Sequence, residues 1–300
     1  MNESPRPGPI GLIAGAGRLP VIVARGMRAA GHDVHAVGLG GACDDALRAH
    51  CATYRPVGIA RPKSWLRILR ARGVDRAVMV GRVEKARAHD PLRLLRLLPD
   101  GLALSIWYRR LRHDRRNSAL LGALADALAA RGVTLIDSTT HIHDQMATMG
   151  PMGRVRPSDA QTADVAFGRS VLRTVAEADI GQAIAVSERD VIAVEAVEGT
   201  AAMIERAGTL CRRRWTLLKS SRDEHDRRAD VPTIGVETVE QVARAGGGAI
   251  ALGAGRVIMI DRDEVVAAAD RLGIALVGFD ATPPDDAGDQ SSAVDPPTRP

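Results

Sequence analysis

Aromatic side chains are nearly absent from this sequence: two phenylalanines, two tyrosines and three tryptophans make up 2% of 300 residues. Proteins that hold single-stranded nucleic acid stack its bases on aromatic platforms, so that class of partner is excluded. Cysteine is equally scarce. Cys43, Cys51 and Cys211 cannot close a disulfide framework and show no C-x-x-C spacing, which fits a reducing cytoplasm. Long uncharged apolar runs are missing too. The stretch from Ile10 to Ala24 is interrupted by Arg18 and Pro20 and cannot span a bilayer. Met1–Pro9 is polar and proline-rich, without the charged-then-apolar order of a signal segment. Lysine is the last scarcity: only Lys63, Lys85 and Lys219 occur among 41 basic residues. A GC-rich coding sequence accounts for most of the arginine excess. Arginine also binds phosphate bidentately, so a phosphate-bearing or anionic partner fits.

What is present is the composition of a folded protein. A hydrophobic fraction of 45% and a charged fraction of 26% exclude collagen-like, coiled-coil, mucin-like and mostly disordered classes. The length favours two domains. The formal charge is +5 overall and −3 over the last twenty residues, which leaves +8 on residues 1–280.

Prolines crowd the two ends, which read as disordered tails over 1–9 and 281–300. Between them, short apolar runs alternate with helical periodicity. Ile10–Ala14, Val34–Val37, Ala77–Val80 and Val133–Ile136 read as strands. Leu19–Ala30, Ser64–Arg72 and Asn117–Ala130 read as helices, each stopped near a glycine. Strand and helix at this spacing predict right-handed βαβ units and a Rossmann-like parallel sheet over 10–140. Residues 141–158 break the pattern and read as a linker. A second α/β domain is expected over 159–280. Its helices are 163–176, 201–207, 236–245 and 262–272, and its strands are 183–186, 191–196, 215–218, 249–252, 257–260 and 274–277. One segment stands apart: residues 92–112 interleave leucines with Arg93, Arg96, Arg109, Arg110 and Arg112. It predicts either a core helix pair with arginines facing water or a surface for an anionic membrane or lipid-like ligand.

Three places can carry chemistry. Gly15-Ala16-Gly17-Arg18-Leu19-Pro20 joins the first strand to the first helix, where backbone N–H groups can approach a phosphate. The third glycine of the dinucleotide fingerprint is missing, and no acidic ribose ligand ends the second strand. A nucleotide-phosphate site or a plain tight turn both remain open, and a nicotinamide-dependent oxidoreductase is disfavoured. His141 and His143, at i and i+2, can pair on a metal if their segment is extended, or can be ordinary loop residues. The densest polar cluster gathers Asp179, Gln182, Glu195, Glu198, Thr200, Lys219, Asp223, Glu224, His225, Asp226, Arg227, Arg228 and Asp230. Its charges recur at strand ends, where open α/β sheets bind ligands. Carboxylates for a divalent cation beside Arg and Lys for phosphate are the parts that phosphoester or pyrophosphate cleavage requires.

Several of these pieces occur together in one family. Gly11–Pro20, Val80-Gly81-Arg82-Val83, Asp179-Ile180-Gly181-Gln182-Ala183, Val194–Thr200 and Asp230–Gly235 appear in an order and spacing that resembles the LpxI family of UDP-2,3-diacylglucosamine pyrophosphatases. The resemblance implies an N-terminal Rossmann-like domain and a C-terminal α/β domain with a UDP-linked acylated glucosamine lipid between them. It implies Mg²⁺-assisted hydrolysis to UMP and 2,3-diacylglucosamine 1-phosphate in lipid A synthesis, and a homodimer at the cytoplasmic face of the inner membrane.

Carried over residue by residue, the family's essential aspartate falls on Asp230, with Lys219 and Asp226 as further catalytic candidates. Glu195 and Glu198 would share the metal with Asp230. Gly15, Gly17, Arg18, Gly81, Gln182, Thr200 and Arg228 would hold substrate. The sequence departs from the pattern at Ala201, where the family has aspartate, at Arg222–His225 and at Asn117-Ser118. A relative that binds without turnover is therefore the alternative expectation.

Overall fold

The computed structural model describes residues 8–40, 45–82, 98–108, 117–212, 214–222, 227–228 and 231–282. Its first sheet is built on β1 (Ile10–Ala14), five residues that are all buried. A strand covered on both faces has no reason to alternate polarity, and β1 reads as one apolar run for that cause. It pairs in parallel with β2 (Val34–Leu39) on one side and β4 (Arg76–Val80) on the other. β3 (Thr53–Val57) and β5 (Thr134–Leu135) complete a parallel sheet in the order β3-β2-β1-β4-β5. The Rossmann-like expectation holds.

Helices α1 (Leu19–Ala29), α2 (Asp45–Arg48), α3 (Pro62–Arg70), α4 (Gly101–Ile106) and α5 (Asn117–Ala129) make the connections. α1 buries Val21, Ile22, Val23, Ala24 and Met27 against one face of the sheet. Trp65, Leu66 and Leu69 of α3, with Leu102 and Ile106 of α4, cover the other.

The strand order reverses between β1 and β4. The chain leaves β1 toward β2 and β3, then returns across the sheet to β4. A crevice opens at the carboxyl ends of the strands at such a reversal, and ligands of open α/β sheets bind there.

The second sheet runs β6 (Gly150–Pro151), β13 (Ala275–Phe279), β11 (Ala249–Gly253), β9 (Thr216–Lys219), β7 (Ala183–Ser187), β8 (Asp190–Val194). β13, β11 and β9 are parallel; β6, β7 and β8 pair antiparallel to their neighbours. The β7–β8 hairpin turns on Glu188 and Arg189, both with positive φ, the geometry of a tight two-residue turn.

α6 (Asp159–Glu177) covers one face of this sheet; α7 (Thr200–Leu210), α8 (Val236–Arg244) and α9 (Arg262–Leu272) cover the other. α6 starts four residues before its expected position because Ser158 and Gln161 form a reciprocal capping box. Apolar periodicity begins only after that cap.

The two halves share a core. β10 (Thr233–Ile234) and β12 (Ile258–Met259) form a short parallel ladder, and Val231, Ile258 and Ile260 pack with Ile142, Met146 and the apolar face of α1. Residues 141–158, read from sequence as a bare linker, hold a 3-10 turn (His143–Gln145) and the edge strand β6. Among the described residues no helix is long and apolar enough to cross a membrane.

Candidate active site

The crevice begins where two backbones cross. Gly15 N–H donates to Val80 O at 2.8 Å, Ala16 N–H to Arg82 O at 2.7 Å, and Arg82 N–H returns to Ala16 O at 2.9 Å. A Cβ on Gly15 would sit 2.6 Å from Arg82 O, and one on Gly81 would sit 2.8 Å from the Gly15 carbonyl carbon. Contact excludes side chains from this crossing, and at Gly81 a φ of 97° adds a conformational demand for glycine. At Gly17 conformation acts alone: φ is 102°, and a Cβ there meets nothing within 4 Å.

Gly17, Arg18, Leu19, Gly81 and Arg82 form one wall of an interdomain cavity of about 300 Å³. The opposite wall comes from the C-terminal half: Val231, Thr233, Gly235, Glu237, Thr238 and Ile260. α1 and α8 both begin at this cavity, and neither has a side-chain cap. Two helix N-termini without side-chain caps border one cavity, an arrangement suited to an anion, though Pro20 has no N–H and Val21 N–H donates to Arg18 O, so α1 offers fewer donors than α8.

Arg18 at its rim reaches across the halves. Its Nε lies 2.9 Å and its Nη2 3.4 Å from the two carboxylate oxygens of Asp261, a residue held in the left-handed region at φ 53°. Ser138 closes the edge, donating through Oγ to Arg227 O at 2.9 Å.

A second group forms in the C-terminal half. Lys219 ends β9 and is buried, and Thr200 opens α7. Lys219 Nζ donates to Thr200 Oγ1 at 2.7 Å, and that hydroxyl donates to Glu195 Oε1 at 2.7 Å. The chain links a buried ammonium to a carboxylate through a hydroxyl, which offsets the cost of burying the charge. Glu195 Oε2 is buried with no partner. Gln182 accepts from Ser220 N–H at 3.0 Å through its backbone carbonyl, holding the start of β7 to the end of β9.

The candidates read from sequence thus fall into two sets. Gly17, Arg18 and Gly81 line the interdomain cavity, with Gly15 at the backbone crossing beside it, while Gln182, Glu195, Thr200 and Lys219 gather at the strand ends and do not line it. Glu198 stands apart. It is exposed and accepts from Arg206 Nη2 at 2.8 Å; its own backbone N–H and that guanidinium hold its carboxyl below the ordinary range. Arg228 lies in the turn after Arg227. Asp226 and Asp230 lie outside the described residues, as do 83–97 and 109–116, which contain the five arginines of the arginine–leucine segment.

The histidine pair is not extended. His141 lies in a turn and His143 opens the 3-10 turn, so they do not share one side of a strand. The His141 ring instead meets His32 edge-on at 5.0 Å. Burial first, then His32, Arg76 and His143, lowers the His141 pKa, and its Nε2 is buried without a partner. Among the described residues no group of three or more His, Cys, Asp or Glu side chains is placed to hold a metal. Burial pushes the Cys51 thiol up to about 11, which leaves it protonated and a poor nucleophile.

Sequence reasoning did not pick out Glu237, Thr238 or Asp261. The Gly235-Val236-Glu237 helix start was the available signal for the first two. Asp261 had none, since its partner lies 243 residues away.

Residues 9–145 match the family model of the LpxI N-terminal domain, and residues 148–277 match that of the LpxI C-terminal domain. The chain is 33% identical over 280 residues to the UDP-2,3-diacylglucosamine pyrophosphatase LpxI of Caulobacter vibrioides, covering 90% of this chain and 97% of that protein. With both halves matched in order and the crevice lying between them, the chain belongs to the LpxI family.

Proposed function

We propose that this protein cleaves the pyrophosphate of UDP-2,3-diacylglucosamine, releasing UMP and 2,3-diacylglucosamine 1-phosphate in lipid A synthesis. The observation that carries the reading is the similarity along 90% of the chain to the Caulobacter pyrophosphatase. The crevice supports it chemically. Backbone N–H groups at the uncapped N-termini of α1 and α8 would donate to phosphate oxygens, and Arg18 and Arg82 at the rim would add charge. Lys219, fixed by Thr200 and Glu195 at the strand ends, does not line the cavity; it would oppose charge on a leaving phosphate only where the substrate extends from the cavity to those strand ends. Asp230 precedes Val231-Pro232, and proline restricts the residue before it to extended backbone. Val231 therefore brings a stiff segment to the cavity wall. The role assigned to Asp230 is to bind the cation or to orient the attacking water.

Mg²⁺ enters on the family likeness. Glu195 Oε2, buried without a protein partner, fits a place on such an ion; Glu198, taken up by Arg206, does not. A bound Mg²⁺ would neutralise charge on the pyrophosphate oxygens. The same likeness extends the proposal to a homodimer working at the inner face of the membrane, which sedimentation velocity and cell fractionation test.

The deciding experiment incubates pure protein with UDP-2,3-diacylglucosamine and Mg²⁺ and follows UMP. Asp230→Ala should abolish UMP release while leaving binding nearly intact, and persistent activity would sink its role. Ala201→Asp, which restores the family residue, should raise turnover. An inactive wild type rescued by that change would favour the second reading, a nucleotide-lipid binder without turnover, for which the alanine at 201 is the motivating observation.

A further inference from the structure

We propose that a basic groove between α3 and α4, with the exposed tryptophan–tyrosine face beside it, is the surface by which this protein rests on an anionic bilayer. The inference deepens the lipid-substrate reading above and rests on it for the kind of partner. Its physical content comes from three observations.

The first is unneutralised charge. Lys63, Arg67 and Arg70 recur at intervals of four and three on α3, so they share one face. With Arg131 they line an open groove of about 860 Å³ that no carboxylate among the described residues lines. None of the four forms an ion pair with a described residue, and Arg131 donates only to the Ala127 carbonyl, at 2.9 Å. Asp100 adjoins them, but its oxygens accept backbone N–H groups of Lys63, Leu102 and Ala103 at 2.7, 3.0 and 3.0 Å. It caps α4, and its single charge offsets only part of the four positive ones.

The second is where the scarce aromatics lie. Trp65 and Trp215 are 3% and 0% exposed, whereas Trp107 is 53% and Tyr108 62% exposed. With Leu104, also exposed, they occupy positions i, i+3 and i+4 at the end of α4. Tryptophan and tyrosine carry an apolar body and a polar tip, and they concentrate at the headgroup level of bilayers.

The third is adjacency. Gly101 and Ser105 line the groove, and Tyr108 continues their strip at the next turn. Arg61 Nε, donating to Leu98 O at 3.4 Å, holds exposed Leu98 against the start of α3. A cationic strip bordered by interfacial aromatics matches a surface that is anionic above and apolar below. A protein partner would call for a drier, more apolar centre; the charged side chains lining this groove among the described residues are all cationic.

The test uses the whole protein and vesicles that contain no nucleotide lipid. Equimolar phosphatidylcholine and phosphatidylglycerol vesicles should carry the protein down, less so as salt rises, and pure phosphatidylcholine should not. The combined Lys63→Ala, Arg67→Ala, Arg70→Ala variant should bind about 100-fold more weakly. Trp107→Ala should bind several-fold more weakly and lose the blue shift in tryptophan fluorescence that wild type shows on vesicles. Both variants should keep wild-type circular dichroism and wild-type UMP release from detergent-dispersed substrate.

Equal binding to neutral vesicles, no binding to either, or wild-type binding by the variants overturns the proposal. Loss of UMP release in detergent also overturns it, because the groove would then belong to catalysis or folding. A protein without hydrolytic activity that still binds anionic vesicles would sink the function and leave this surface standing.

Discussion

The two sides of this molecule's chemistry are built from different materials. The N-terminal wall of the crevice is backbone: glycines crossing at Gly15 and Gly81, and the bare start of α1. The C-terminal half works with side chains, a hydrogen-bond chain linking Lys219 through Thr200 to Glu195. A backbone-built wall fails when anything is added to it. A side-chain relay fails when something is taken away. The difference tells which kind of substitution each half will reject, and it can be broken experimentally.

The largest effect is expected at the crossing. Gly81→Ala puts a Cβ 2.8 Å from both the Gly15 carbonyl carbon and Pro20 Cγ, at a φ of 97°. Clash and strain together should cost about 4 kcal/mol of stability, read from the urea midpoint at constant slope. Gly17→Ala, with a similar φ but open space around its Cβ, should cost only about 1–2 kcal/mol. Equal costs at the two glycines would mean that conformation, and not the close crossing, sets the requirement.

Next comes removal from the relay. Lys219→Met deletes the cation that faces Glu195 through Thr200, and about 2 kcal/mol should be lost. Adding Glu195→Gln to that variant should recover about 1 kcal/mol, because the unpaired carboxylate is gone. Strict additivity in this double-mutant cycle would show that Lys219 and Glu195 are linked through Thr200 without being energetically coupled.

The bridge between the two halves gives a smaller effect. Arg18 is half-exposed, so Asp261→Asn should change stability by less than about 1 kcal/mol. Freed from its carboxylate, Arg18 should tighten UMP binding by about 2- to 10-fold in calorimetry. Weaker binding instead would show that Asp261 positions the guanidinium for the ligand.

The contrast between backbone and side chain also explains what the sequence could reveal. β1, β2 and β4 were legible because buried parallel strands are short apolar runs bounded by glycine. β3 was not, since it is an edge strand carrying Arg55 and Pro56, composition that argues against a strand. β6 and β10 are two residues long and exist only through their partners. The glycine turn announced itself locally, as did the carboxylates near α7. The ligand-free partner of each side chain did not. Glu198 looked equivalent to Glu195 in the sequence, yet Arg206, one helical face away, takes the first and Thr200 takes the second. Spacing shows which residues share a strand end, while hydrogen bonds decide what each is free to do.

The smallest effect concerns the segment that joins the halves, and it depends on proton binding. His141 packs beside His32, and burial, then the nearby charges of His32, Arg76 and His143, lowers its pKa. Its buried Nε2 has no acceptor to receive a proton's hydrogen bond. Above the ordinary histidine value of about 6.5 the ring is neutral in folded and unfolded chains alike, and pH leaves its contribution unchanged. As pH falls below that value the unfolded ring takes up a proton and the folded one does not. The unfolded state is then favoured, so stability falls until the lowered folded pKa is reached and levels off below it. His35 and His50 are lowered by burial as well and act in the same direction. Urea midpoints measured at about pH 7.5 and about pH 5.5 should therefore differ, lower at the acid value. His141→Gln should narrow that gap without closing it, because the other two histidines remain. A gap unchanged in His141→Gln would place the acid sensitivity wholly in the N-terminal half, away from the joint.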